Sequence, residues 1–488
     1  MLFNSALFCL VFFPLVTGLF FVLPHRWRWL LLLAASCWFY MAFVPVYILI
    51  LAFTIAVDYA AGILIEESTG RRRRSWLIAS IVANVGVLVF FKYFNFLNQN
   101  IGLLMQQAGL GWGVPDLGII LPIGLSFHTF QSLSYTIEVY RGHQKAERRP
   151  GLFALYVMFY PQLVAGPIER PANLLQQLDR MQLGDPRFAP EYGRIVQGLK
   201  QMLWGFFKKL VIADRCAVVV NEVFGNTGEH EALALLLGSY LFALQIYCDF
   251  SGYTDIALGA ARVMGFDLMV NFRTPYRSAS ISEFWSRWHI SLSSWFRDYV
   301  YIPLGGNRVV KWRWYYNLLV VFLLSGLWHG AAWTFVVWGA LHGGYLVLAL
   351  VFAPFWKRFD HAVGLDRLPR IKRWLGVIIT FHLVVLGWVF FRATSLKNAF
   401  NVLEGIATKA WHPGDLMHLL DRVGHGVLEF TVLFGLLFLL VDPWMDAVIK
   451  GERPGPRGFI AHLLFAALAV GILIFGWFGS TGFIYFQF

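Results

Sequence analysis

Two histidines have surroundings in which an imidazole could do chemistry, one in an apolar run and one in a polar belt. His329 lies inside the run LLSGLWHGAAW (323–333), and the nearest formal charge before it is Arg313. His289 lies forty positions earlier, in ISEFWSRWHISLSSWFRDYVYIPLGGNR (281–308), among serines and arginines. An imidazole in hydrocarbon must find a hydrogen-bond partner or a chemical task, because an unpaired buried polar group costs several kcal/mol, roughly. A neutral imidazole can take a proton from a hydroxyl and so turn a weak nucleophile into a useful one. The structural alternative for His329 is a hydrogen bond to Ser325 one turn back, and the residues alone leave both readings open.

The elements that must position these groups are membrane helices. The chain has 488 residues, 58% hydrophobic and only 14% charged, with a mean hydropathy of +0.60. Soluble domains carry about a quarter charged residues. Apolar runs long enough to span are expected near 3–23, 29–44, 46–65, 76–97, 117–139, 196–218, 232–249, 315–331, 333–353, 374–391, 427–444 and 460–478. The shorter runs 152–166 and 252–265 are expected to be re-entrant or interfacial. The first run lacks a basic n-region and a small-residue cleavage site, and is expected to be retained as a helix. The fold class predicted is therefore all-α, a polytopic membrane protein of about 10–12 spanning helices with additional re-entrant pieces. A single membrane domain over 1–488 is expected, with a motif-bearing core at 90–345 flanked by helices in 1–89 and 346–488.

The net charge of +12 sits in short loops, which fits the positive-inside rule rather than nucleic-acid binding. Arg26 and Arg28, Arg71 to Arg74 and the RGHQKAERR loop (141–149) alternate with loops free of Lys and Arg, so odd-numbered loops are expected in the cytoplasm and the N-terminus outside. The segment 392–426, with Arg392, Lys397, Lys409 and Arg422, runs against that alternation. Four scattered cysteines give no metal or redox pattern, and no metal is expected.

Read as one helix, 281–299 places Ser282, Ser286, His289, Ser293 and Arg297 on one stripe and Phe284, Trp288, Leu292, Trp295 and Tyr299 on another. One reading is a solvated membrane-surface helix. The other is a polar floor at a cavity mouth, with Arg287, Arg297 and Arg308 available to phosphates. No HExxH, Walker-type, GxGxxG or GxSxG pattern occurs. His361 and Asp366 fit an H-x4-D pattern in a context that does not support it. Asp58, Lys92, Asp249 and Asp255 fall in or near apolar runs, where buried pairs or a proton path are both open readings.

FYPQLVAGPIER (159–170), CDFSGYTDIALGAARVMGF (248–266), NFRTPYRS onward (271–308) and LLSGLWHGAAWTFVVWGALHG (323–343) resemble the membrane-bound O-acyltransferase superfamily. The likeness is to its bacterial alginate O-acetyltransferase membrane-subunit branch, with relatives acting on cellulose and peptidoglycan. FFKYFNF (90–96) and LPIGLSFHTFQSLSYTIEVYRG (121–142) extend it upstream, with His128 standing where an aromatic residue is more usual. The resemblance implies that His329 is the catalytic histidine and His289 the second motif residue. It implies acyl transfer from acetyl-CoA as substrate, with no permanently bound cofactor, to an exported polysaccharide through a periplasmic acetyltransferase partner, in the bacterial inner membrane. Ser293 and Asn271 are expected beside the arginines at the donor site. A neutral imidazole at His329 is expected from burial among Leu324, Leu327, Trp328 and Trp333. D-alanyl transfer from a carrier protein to teichoic acid, a proton-coupled transporter and a structural scaffold are the competing readings.

Overall fold

Apolar runs punctuated by Arg, Gly and Pro become helices, because lipid leaves every backbone polar group to be satisfied within its own segment. A computed structural model describes residues 1–118, 121–164, 166–455, 458–479 and 482–484, and no strand occurs among them. Among the described residues seven helices are long and apolar enough to cross a membrane: those within Pro45–Glu67, Gly70–Gln107, Ala232–Met264, Trp333–Val351, Pro369–Arg392, Val427–Ile449 and Gly458–Phe475. Their outer faces carry exposed leucines and isoleucines, such as Leu436, Leu440, Leu473 and Ile474, as a lipid-facing surface requires. Internal contacts divide the chain into two compact units: Met1–Met202 with Tyr253–Met269, and Leu203–Gly252 with Val270–Phe488.

In the first unit the helices Ile48–Glu67, Gly70–Leu88 and Leu125–Arg141 pack together. A small polar knot joins them: Asp58 accepts from Ser80 Oγ at 2.6 Å and from Asn84 Nδ2 at 2.9 Å, and Ser80 also reaches Thr136 at 3.1 Å. Without a hydrophobic drive between helices in lipid, such hydrogen bonds and close packing hold them. Glu169 is fully buried, accepting from the Met269 N–H and, at 2.7 Å, from Asn173 Nδ2. Burial pushes its carboxyl up to about 7. His128 is buried on the Leu125–Arg141 helix.

The second unit carries both sequence-predicted histidines. Its tightest pair is the hairpin of Lys311–His329 and Trp333–Val351. A Cβ on Gly326 would come within 2.2 Å of the Phe335 carbonyl oxygen, and one on Gly339 within 2.3 Å of the Phe322 carbonyl oxygen, so the two backbones cross at glycine contact. Pro369–Arg392 packs against the second arm of this hairpin.

The expected re-entrant piece at 252–265 is instead the continuation of one 33-residue helix, Ala232–Met264. The polar residues that suggested a break are partnered. Asp249 pairs with Lys209 at 2.8 Å, and Asp255 accepts from Gln201 Nε2 at 3.1 Å. Gly252 serves close approach, since a Cβ there would lie 2.8 Å from the Gly205 carbonyl oxygen. Lys209 also pairs with Asp214 at 2.8 Å, in a π-helical turn spanning Phe207–Ala213.

Candidate active site

The site is built around a break in what the sequence presents as one amphipathic helix. Ile281–Arg287 and Ile290–Phe296 are separate short helices, so the single stripe from Ser282 to Arg297 does not form. The cause lies at His289, whose backbone is left-handed at φ +45°. Among the described residues only Thr274, at φ +44°, is another non-glycine residue with positive φ. This conformation is costly for a side chain with a Cβ and persists where surrounding structure enforces it.

Asn271 does the enforcing. It is fully buried; its carbonyl oxygen accepts the Ile290 N–H at 3.0 Å and its side-chain oxygen accepts the Ser291 N–H at 3.2 Å. Two residues on, the Arg273 N–H donates to the Arg287 carbonyl at 3.0 Å. The strap 271–273 thus holds the chain on both sides of His289. Ser280 caps the first helix by accepting the Glu283 N–H at 3.1 Å, while Glu283 accepts the Ala279 N–H at 2.8 Å.

The His289 ring is fully buried and packs edge-on against Phe250, with centroids 4.7 Å apart. Outside the spanning helices, burial pushes its pKa down to about 3, which keeps the ring neutral. His329 is the last residue of its helix, 4% exposed, with Trp328 at 4.9 Å, Trp338 at 5.0 Å and Phe391 at 5.2 Å between ring centroids. Trp328 is among the neighbours expected from sequence, Trp338 and Phe391 come from two other helices, and the expected Trp333 and Leu324 are 53% and 42% exposed. The same Trp328 indole lies 6.1 Å from the His289 ring. By the sum of the two distances the imidazoles are at most about 11 Å apart.

A third histidine, His342, is fully buried between Trp285 at 5.1 Å and Trp338 at 5.0 Å, and sequence reasoning gave it no part. The helical spacing of LWHGAAWTFVVWGALHG was the available signal. The chain's last described residues are the other omission. Phe483 packs 5.8 Å from Phe250, and the Ile484 N–H donates to Asp249 at 2.8 Å. No spacing rule links residues so far apart in sequence.

A cavity of about 390 Å³ is lined by residues of Ile281–Arg287, Ile290–Phe296 and Lys311–His329, though by neither His289 nor His329. Ser282, Ser286, Ser293, Ser294, Ser325 and Tyr301 supply its hydroxyls; Arg297, Trp285, Phe296, Phe322 and aliphatic side chains form the rest of its wall. Ser325 lies one turn before His329 on the same helix. Of the expected donor-site residues, Ser293 and Arg297 line this cavity, and Arg297 also pairs with Asp298 at 2.8 Å. Arg287 faces a separate, charged basin and pairs with Glu283 at 2.8 Å. Arg308 is exposed and lines neither, and Asn271 acts on the backbone. His361 and Asp366 pair at 2.9 Å on the surface, with side chains 80% and 41% exposed.

A multi-span helical chain with two buried histidines around one indole and a hydroxyl-lined cavity on the same helices has the construction of a membrane acyltransferase. The chain belongs to the MBOAT, membrane-bound O-acyltransferase family, matching its pattern over residues 74–390. It is 39% identical to a probable alginate O-acetylase, AlgI, of Pseudomonas aeruginosa over 89% of this chain and 82% of that one. It is 33% identical to a peptidoglycan O-acetyltransferase of Helicobacter pylori over 89% and 86%. A teichoic acid D-alanyltransferase of Bacillus subtilis is 28% identical over 57% of this chain and 70% of that one. The protein is a multi-pass membrane O-acyltransferase related to proteins named as an alginate O-acetylase and a peptidoglycan O-acetyltransferase.

Proposed function

We propose that the protein moves acetyl groups from cytoplasmic acetyl-CoA toward an exported polysaccharide of the alginate, cellulose or peptidoglycan kind, and that it does so in the bacterial inner membrane together with a periplasmic acetyltransferase partner. The observation that carries this reading is His329, buried in an aromatic cage at a helix end and sharing Trp328 with a second buried histidine. The 39% likeness to an alginate O-acetylase over most of the chain supports the acetyl group and the polysaccharide class.

In this reading a ring nitrogen of His329 takes the proton from the acceptor hydroxyl as its oxygen attacks the thioester carbonyl. The carbon–sulfur bond then breaks, and the leaving thiolate receives that proton. General-base assistance of this kind contributes about a hundred- to ten-thousand-fold. His289, held neutral, orients the thioester or hydrogen-bonds its carbonyl as charge develops. Enclosure by indole and phenyl rings excludes water, which protects the thioester from hydrolysis.

The test is donor competition in native membranes supplied with the partner. Labelled acetyl-CoA and a labelled acyl-carrier-protein thioester are offered separately, and label is followed into partner and polymer. Transfer from acetyl-CoA supports the reading. Transfer only from the carrier protein would move the protein toward the D-alanyltransferase chemistry of its more distant relative.

A further inference from the structure

The chain between two spanning helices carries an apolar stripe that stays exposed. Trp333–Val351 and Pro369–Arg392 both have the length and composition to cross a membrane, so the piece that joins them lies at one membrane face. That piece contains the helix Ala353–Ala362, and none of its residues is buried. Phe352, Phe355, Trp356, Phe359 and Val363 follow one another at spacings of three, one, three and four, which a helical period gathers into a stripe about 100° wide. All five are between 45% and 56% exposed. Lys357, Arg358 and His361 fall outside the stripe. A row of large apolar side chains left open along one helix face marks an interaction surface.

The turn that follows is closed by the His361–Asp366 pair at 2.9 Å, with Gly364 left-handed at φ +71° inside it. This gives the H-x4-D spacing a structural task. Beyond the turn, Ile371, Trp374, Leu375 and Ile378 repeat the three, one, three spacing on the spanning helix, and they too are exposed. The charge of the segment is one-sided. Residues 353–373 hold six Lys or Arg against Asp360 and Asp366. Lys372 pairs with Asp360 at 2.6 Å and Arg373 with Glu283 at 3.3 Å, while Lys357, Arg358, Arg367 and Arg370 form no ion pair among the described residues.

A soluble partner would have to bring a matching apolar surface, whereas a bilayer already borders the spans on both sides of this segment. A helix aromatic on one face and basic on its flanks has the composition that lies in the headgroup plane. The excess of Lys and Arg fits the cytoplasmic side, whose anionic lipids attract basic segments next to a span.

We propose that Ala353–Ala362 lies in the headgroup layer of the cytoplasmic leaflet, with Phe355, Trp356 and Phe359 among the acyl chains and Lys357, Arg358, Arg367 and Arg370 holding the phosphates of anionic phospholipids. The long stems of Lys and Arg reach the phosphate level from the flanks of such a helix. The inference depends on neither the acyl donor nor the role of His329.

The test uses full-length protein in nanodiscs of phosphatidylcholine alone or mixed with phosphatidylglycerol. Cys9 and Cys37, the native cysteines that are not buried, are replaced by serine. Spin labels are placed one at a time through Phe355→Cys, Phe359→Cys and His361→Cys. Their collisions with oxygen, which partitions into lipid, are compared with those of a water-soluble nickel chelate. The expected result is an oxygen-to-chelate ratio several-fold higher at 355 and 359 than at 361. Phosphatidylglycerol should raise that ratio further. A K357Q/R358Q/R367Q/R370Q variant, checked for a monodisperse state, should lose this increment while keeping the helical pattern. Chelate access at 355 and 359 equal to that at 361 in both kinds of disc would overturn the proposal. A pattern unchanged by phosphatidylglycerol in wild type would overturn its anionic-lipid half. Shielding of the stripe that appears only on adding an acidic acyl-carrier protein would make it a protein docking face and overturn it as well.

Discussion

His289 and His329 pack against one side chain, the Trp328 indole, whose centre lies 6.1 Å from the first imidazole and 4.9 Å from the second. The two rings come from segments with opposite local character, a left-handed break between short helices and the end of the 19-residue helix Lys311–His329. Trp328 is therefore the positioning residue common to both. Trp328→Ala should cut kcat at least about tenfold with a smaller change in donor KM, whereas Trp328→Phe should recover part of the loss. Steady-state kinetics on the two variants checks this, since a general loss of packing would lower the yield of folded protein rather than split kcat from KM.

The left-handed backbone of His289 separates conformation from chemistry. Glycine tolerates φ +45° and asparagine nearly so, while alanine pays about 1–2 kcal/mol. All three variants lose the packing of the buried ring on Phe250 and Trp328 and should melt below wild type, and His289→Ala, which keeps the strained backbone as well, should be the least stable. All three should lose activity if the ring itself takes part. Thermal melts beside rate measurements resolve the two effects.

Lys209 is shared by two buried carboxylates, Asp214 and Asp249, each at 2.8 Å. Lys209→Met removes the cation that both carboxylates pair with and should cost about 3–5 kcal/mol. A Lys209→Met/Asp214→Asn/Asp249→Asn variant should recover much of that loss, because it removes the charges together. Unfolding in detergent measures the difference.

Glu169 gives a pH dependence with a definite sign. Its folded-state carboxyl, pushed by burial from the ordinary 4.5 to about 7, favours the protonated form. The stability contributed by neutral Glu169 is fully present below about pH 4.5 and is lost as pH rises through about 7. The gap between those values corresponds to roughly 3 kcal/mol. Wild type should therefore lose stability relative to Glu169→Gln between pH 5 and 8, as read by paired thermal melts. Parallel curves would contradict it.

Much of the site was legible because its residues carry their spacing with them. His329 stands out as a polar residue within an apolar run, and the serines of 281–294 announce a polar wall. The break at His289 was not legible, since 281–299 satisfies a helical period and only the Asn271 clamp, eighteen residues upstream, prevents one helix from forming. The converse holds at 249–255, where Asp249, Gly252 and Asp255 read as an interruption until Lys209, Gly205 and Gln201 are seen to satisfy them. Partners supplied by distant segments are what a local pattern cannot report. Lys450 and Arg453 in the charged basin illustrate the same point.

The central claim is that His329 is the base for acyl transfer. Its most direct test is label transfer from acetyl-CoA in membranes carrying wild type, His329→Ala or His329→Gln at matched levels of folded protein, with the periplasmic partner present. The account predicts transfer by wild type and a loss of at least about a hundredfold in both variants. Transfer by either variant at the wild-type rate would contradict it and leave His329 as a packing residue in the cage of Trp328, Trp338 and Phe391.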